Sequence, residues 1–190
     1  MTFRAFLLAS ASLLVASLAG AQAADRPSAD EYTRRVQRGI EQLTGGDPSG
    51  AIATFREAVS LDGSRPQAPY YIGAAQRATG DLDGALTSFR QAAALAEAAS
   101  LPRWQGRALH AVASTFERME GRIEEARAAW QAYVSFAERN AAIADPQLGL
   151  ARITAIDRMN EQEQAYVAVR QRIAEREEER RREEARGRRR

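Results

Sequence analysis

A fourteen-residue block that occurs twice constrains this chain more than any other feature. Residues 46–59, GDPSGAIATFREAV, and residues 80–93, GDLDGALTSFRQAA, are identical at seven of fourteen positions. The matches are Gly46/Gly80, Asp47/Asp81, Gly50/Gly84, Ala51/Ala85, Phe55/Phe89, Arg56/Arg90 and Ala58/Ala92, each pair 34 residues apart, and Gly39 and Gly73 upstream keep the same separation. A weaker third copy, GRIEEARAAWQAY from Gly121 to Tyr133, sets Gly121, Ala126 and Trp130 in register with Gly80, Ala85 and Phe89, but 41 residues on. Self-similarity at such a period means one supersecondary unit per repeat, too small to bury its apolar face without stacked neighbours. The seven extra residues make nearly two helical turns, so a helix can absorb them without rotating its buried face. The expected place is the helix through TSFRQAAALAEAAS.

The block also concentrates glycine, aspartate and an aromatic ring, which invites a chemical reading. A phosphate loop needs lysine and a hydroxyl after its second glycine, but Ala85 and Leu86 follow Gly84. A calcium loop with Asp81 and Asp83 at its third and fifth positions would put Thr79 first and Arg90 twelfth, where oxygen ligands are required. The block therefore reads as the joint of a repeat.

The units are helical. Alanine inflates the 45% hydrophobic fraction, and runs of Val, Ile or Thr are few, which favours helices over strands. Val36, Ile40 and Leu43 form one stripe at spacings of four and three; Ile52, Phe55 and Val59 form another, as amphipathic helices require. The predicted fold is all-α, a solenoid of about three helical hairpins, at about 32–65, 66–99 and 107–140.

This pattern resembles the tetratricopeptide repeat, a 34-residue pair of antiparallel helices. The resemblance covers about residues 31–140. It implies that Gly39, Gly73 and Ser114 in the first helices pack against Ala51, Ala85 and Ala126, and against Phe55, Phe89 and Trp130, in the second. Ala58 and Ala92 fill the late small position, from which Tyr133 departs. It further implies a concave groove lined by first helices, at Thr33, Val36 and Ile40, then Tyr70, Ala74 and Arg77, then Ala111, Thr115 and Arg118. The lysines and asparagines of the family's carboxylate-binding version are missing there. Tyr70, Arg77, Thr115 and Arg118 are the candidate partner-binding residues, since arginine forks and a tyrosine suit an acidic or C-terminal peptide.

Both ends differ from the repeats. Arg4, the apolar AFLLASASLLVASL and Ala21-Gln22-Ala23 read as a signal peptide over residues 1–23, cleaved after Ala23. That predicts a soluble chain in the periplasm or secreted, with residues 24–30 as linker. Beyond the third hairpin, residues 141–171 read as a degenerate repeat or capping helices, with Asp145 as N-cap and Pro146 first in the helix. Asn160 with Glu163 is placed to restart a helix through Tyr166, Val169 and Ile173. Residues 172–190 hold nine arginines and six glutamates and read as a charged, projecting helical tail.

Enzyme chemistry has little to work with. Cysteine is absent, His110 is the single histidine and all 27 basic residues are arginine. Thiolate, histidine-cluster and lysine chemistry are thereby excluded, and no nucleophile, base and oxyanion donor can be assembled. No catalytic residue, metal or cofactor is predicted. The expected function is a non-enzymatic scaffold or adaptor in the cell envelope. The alternative is binding of an anionic envelope polymer or membrane surface by the arginine-rich tail; self-assembly through an uncapped end of the stack is a third reading, and nucleic acid ranks below these.

Overall fold

The computed structural model describes residues 26–187, and the predicted signal peptide lies outside them. Seven helices follow one another: α1 (Arg26–Thr44), α2 (Pro48–Leu61), α3 (Gln67–Ala78), α4 (Leu82–Ala98), α5 (Pro102–Phe116), α6 (Ile123–Arg139) and α7 (Pro146–Gly187). No strand occurs among the described residues. Helix α1 begins inside residues 24–30, which the sequence assigned to linker. Each helix packs chiefly on its neighbours in the chain, with smaller contacts from α1 to α3 and from α3 to α5, so the helices stack as successive hairpins.

The Gly-Asp dipeptides are the joints. Helix α3 ends with Gly80 at φ +85°, while the N–H of Gly80 donates to the Arg77 carbonyl and that of Asp81 to the Gln76 carbonyl. This is the Schellman pairing, which satisfies the last carbonyls and favours glycine at the left-handed position. Asp81 is also the N-cap of α4, its carboxylate accepting from the N–H of Gly84 at 2.9 Å. Gly46, Asp47 and Gly50 repeat the arrangement between α1 and α2. One aspartate thus closes one helix and opens the next. A Cβ on Gly84 would lie 2.1 Å from Asp81 Oδ2, so the second glycine makes room for the cap.

In the first two hairpins small residues and a ring close the core between the paired helices. Ala51, Phe55, Ala85 and Phe89 are fully buried, and a Cβ on Gly39 or Gly73 would strike the Phe55 or Phe89 ring within 3 Å. Helix α3 separates two core clusters. Tyr71 and Ile72 pack on the cluster of Tyr32, Val36 and Phe55, and Tyr70 and Ala74 on that of Phe89, Phe116 and Trp130.

The third hairpin departs from the simple copy. Helix α4 has 17 residues against 14 in α2, and α5 has 15 against 12 in α3. The turn from α5 to α6 covers residues 117–122, against residues 79–81 between α3 and α4. The two helices and the turn each gain three residues, and the α4–α5 connection, residues 99–101 against 62–66 between α2 and α3, is two shorter, so the net seven are spread over this region rather than placed in α4 alone as the sequence predicted. Helix α4 stops at Ala98, where Ser100 adopts φ +53° and Leu101 N–H reaches back to the Ala96 carbonyl. An extra glycine contact also appears, Gly106 against the ring of Phe136.

Helix α7 corrects a second expectation. It runs unbroken through Asn160 and does not restart there. Asp145 does cap it, accepting from Gln147 N–H at 2.9 Å. Its first part is docked: Ile153 and Ile156 are buried, and Gly149 sits where a Cβ would meet Val134 at 2.5 Å. Arg127 binds Asp157 at 2.7 Å, Asn160 donates to Glu124, and Arg152 donates to Glu117. From Glu161 to Glu184 every residue is exposed.

Candidate recognition site

The half-exposed side of α5 is set by a stripe of polar residues at spacings of four and three: Arg103, Arg107, His110, Ser114 and Glu117. With Tyr70 from α3, Tyr133 from α6, and Ile143 and Ala144 from the loop before α7, the first three line a recess of about 190 Å³. Arg103, Trp104 and Arg107 continue into an adjoining recess bounded by Ala142 and Ile143.

Aromatic rings make its floor and one wall. Tyr70 lies 5.4 Å from Phe89 and 5.5 Å from Trp104, centroid to centroid. His110 meets Trp130 and Tyr133 edge to face at 5.2 and 5.9 Å. Such contacts fix the rings as a largely preformed surface. Arginines supply the charge. Arg107 stacks 5.1 Å over Trp104; Arg77 lies 5.4 Å over Phe89 and donates to Ser114 Oγ at 3.1 Å. Neither Arg103 nor Arg107 forms an ion pair among the described residues, and neither recess is lined by a carboxylate. His110 has its pKa pushed below the ordinary value, first by burial and then by the positive Arg77; Glu117 pulls weakly the other way.

Glu117, at the C-cap of α5, is committed to structure. It accepts from Trp130 Nε1 at 2.6 Å and from Arg152 Nε at 2.9 Å, so it ties α5 to α6 and α7. At the opposite end of the stack, Pro66 offers no side-chain cap to α3. Tyr32 Oη from α1 fills that place, accepting from Ala68 N–H at 3.0 Å. Burial, first among the causes, raises the Tyr32 pKa, keeping the phenol neutral.

Of the four candidate groove residues, Tyr70 lines the recess and Arg77 stands over neighbouring Phe89, near Ser114. Thr115 is fully buried, its hydroxyl donating to the Ala111 carbonyl at 2.6 Å, so it faces the core and cannot contact a partner. Arg118 is exposed in the turn after α5, outside the recess lining. Ala111 is buried too, as is Val36; Thr33 is exposed and Ile40 and Ala74 are half-buried. Across α5 the structure replaces Ala111, Thr115 and Arg118 by His110, Ser114 and Glu117, one residue earlier each time. One residue is a rotation of about 100°, and the longer α5–α6 turn breaks the register counted from Gly121. The missed residues Arg103, Arg107 and His110 had a signal, the four-three spacing of polar residues on a helix opened by Pro102, whereas Trp104 lies outside that stripe.

Solved structures were compared with this architecture. The type III secretion translocator chaperone SycD of Yersinia enterocolitica superposes with a TM-score of 0.59 at 17% identity, over 70% of this chain and 88% of that one. The first TPR domain of Spaghetti (RPAP3), bound to the HSP90 peptide SRMEEVD, gives 0.55 at 14% identity, over 70% of this chain and 97% of that one. The fold is that of tetratricopeptide-repeat domains. SycD in complex with a peptide of the translocator YopD gives 0.56 at 16% identity, over 69% of this chain and 95% of that chain. No family model and no curated protein matches the sequence. In this repeat domain the recess lies between the first helices of the second and third hairpins, with Tyr133 and the α6–α7 loop as its far wall.

Proposed function

We propose that the chain is a non-enzymatic adaptor of the cell envelope, exported by its N-terminal segment. Its recess takes an acidic segment of a partner protein. The observation that carries this reading is the lining itself: Arg103 and Arg107 beside Tyr70, Trp104, His110 and Tyr133, with no carboxylate among them. Guanidinium forks match carboxylates in two-point hydrogen bonds, while fixed aromatic rings supply contact area at little entropic cost. Two solved structures of this fold hold peptides, one from HSP90 and one from YopD, which supports peptide recognition as a use of such a surface. Tyr70 is retained from the sequence's candidates as a lining residue, and Arg77 stands beside the recess, over Phe89 and bonded to Ser114. Arg103, Arg107 and His110 replace Thr115 and Arg118.

The test is calorimetric titration of the mature chain with envelope proteins recovered by affinity capture, and with peptides spanning their acidic segments. The Arg103→Glu/Arg107→Glu variant is expected to lose at least about tenfold in affinity, or about 1.4 kcal/mol, and wild-type binding is expected to weaken with salt. Recovery of the same partners in equal amounts by the variant would overturn the assignment.

A further inference from the structure

The exposed half of α7 carries a pattern that the recess does not use. Met159, Tyr166 and Ile173 follow one another at seven-residue intervals, with Val169 between the last two, and their exposures are 53, 60, 52 and 45%. At 100° per residue these four positions share one narrow stripe. The stripe points well away from the face that Gly149, Ile153 and Ile156 turn toward α6. Among the described residues no other element of the fold covers it, although an apolar stripe on a helix ordinarily marks a buried seam.

We infer that this half of α7 pairs antiparallel with the same helix of a second copy of the chain. Charge selects both occupant and orientation. With Met159, Tyr166 and Ile173 in one row of the seam and Gln162, Val169 and Arg176 in the other, Tyr166 of each copy meets Val169 of the other. On the flanks, Glu163 then faces Arg170 and Arg158 faces Glu179, and twofold symmetry makes each pair occur twice. Within one chain Arg170 lies 4.6 Å over the Tyr166 ring and 3.4 Å from Glu163, so one flank is already gathered beside the seam. A parallel pair would set Arg176 and Arg180 against their own copies in the seam. The antiparallel pair lays their stems along Met159 and Ala155 instead. The two repeat domains then stand at opposite ends of the shared helix pair, presenting two recesses to a partner and raising avidity wherever that partner is itself multivalent.

The experiment is sedimentation equilibrium of the full mature chain across the micromolar range. A monomer–dimer equilibrium is expected. Tyr166→Glu/Ile173→Glu should abolish it while leaving the thermal unfolding of the repeats unchanged, since both side chains are exposed. Glu163→Arg should weaken dimerisation, and adding Arg170→Glu should restore it, because only the antiparallel pair sets these two residues face to face across the seam. The chain has no cysteine, so a spin label at Arg181→Cys reports orientation cleanly: roughly 40 Å between labels if antiparallel, roughly 10–15 Å if parallel. A monomer at every concentration would overturn the inference, as would a dimer indifferent to the Tyr166 and Ile173 substitutions. So would a stripe that takes up anionic vesicles while the chain stays monomeric.

Discussion

At the residue scale, the repeat depends on a few side chains whose neighbours cannot give way. Phe89 is fully buried and its ring occupies the space left by Gly73. Phe89→Ala should therefore cost about 3–5 kcal/mol in urea unfolding, while Asp83→Asn on the exposed first turn of α4 should change little. Ser100 offers the opposite sign. It holds the left-handed position that glycine takes at Gly46, Gly80 and Gly121, and a non-glycine residue there costs about 1–2 kcal/mol. Ser100→Gly should raise stability by up to about 1 kcal/mol in the same measurement. His110 gives the pH dependence. Its folded pKa is depressed by burial and by Arg77, so the unfolded chain takes up its proton first. Stability should hold above the unfolded value of about 6.5 and fall as pH drops through it toward the folded value. In thermal melts His110→Phe, which keeps a ring against Trp130 and Tyr133, should flatten that slope.

At the element scale, the dual-purpose aspartates leave no slack between hairpin helices. Where the third copy has Arg122 for Asp47 and Asp81, α6 lacks a side-chain cap on its N-terminus. Glu125 turns back on its own N–H and on Arg122, and both hold its carboxyl below the usual range. Docking of α7 rests on a different kind of joint, the triangle of Glu117, Trp130 and Arg152. Glu117→Ala should cost about 1–3 kcal/mol, because it leaves the indole N–H and a guanidinium without their acceptor. Hydrogen exchange should accelerate in residues 146–160 well before it does in α1 and α2. Equal protection of α7 in variant and wild type would show that Ile153 and Ile156 dock the helix unaided.

On the scale of the whole molecule, a stack of hairpins carries a helix of 42 residues, about 63 Å long at 1.5 Å per residue, of which the outer part leaves the stack. Exposed from Glu161 to Glu184, that part is held by local pairs such as Arg182 with Glu178, each worth a few tenths of a kcal/mol and weakened by salt. Removal of residues 161–190 should leave the melting temperature of the repeats unchanged at concentrations where the chain is monomeric, while reducing helical circular dichroism. A large fall in melting temperature would mean that the outer helix packs on the repeats in solution.

The sequence by itself determined the hairpin, because Gly80, Asp81, Gly84, Ala85 and Phe89 act on neighbours within one repeat, and the constraints on them are local backbone conformation and close approach. Their spacing was enough to predict an all-α stack. It also excluded phosphate and calcium chemistry from the block. Only the tertiary structure decided which face of α5 is open. A net seven residues, gained in α4, α5 and the α5–α6 turn and partly offset by a shorter α4–α5 connection, rotate that helix by a residue relative to simple counting, which buries Thr115 and brings His110 forward. It also decided that α7 continues through Asn160: once Gly149, Ile153 and Ile156 dock on α6, the helix is already nucleated, and adding residues to an existing helix costs far less than starting one.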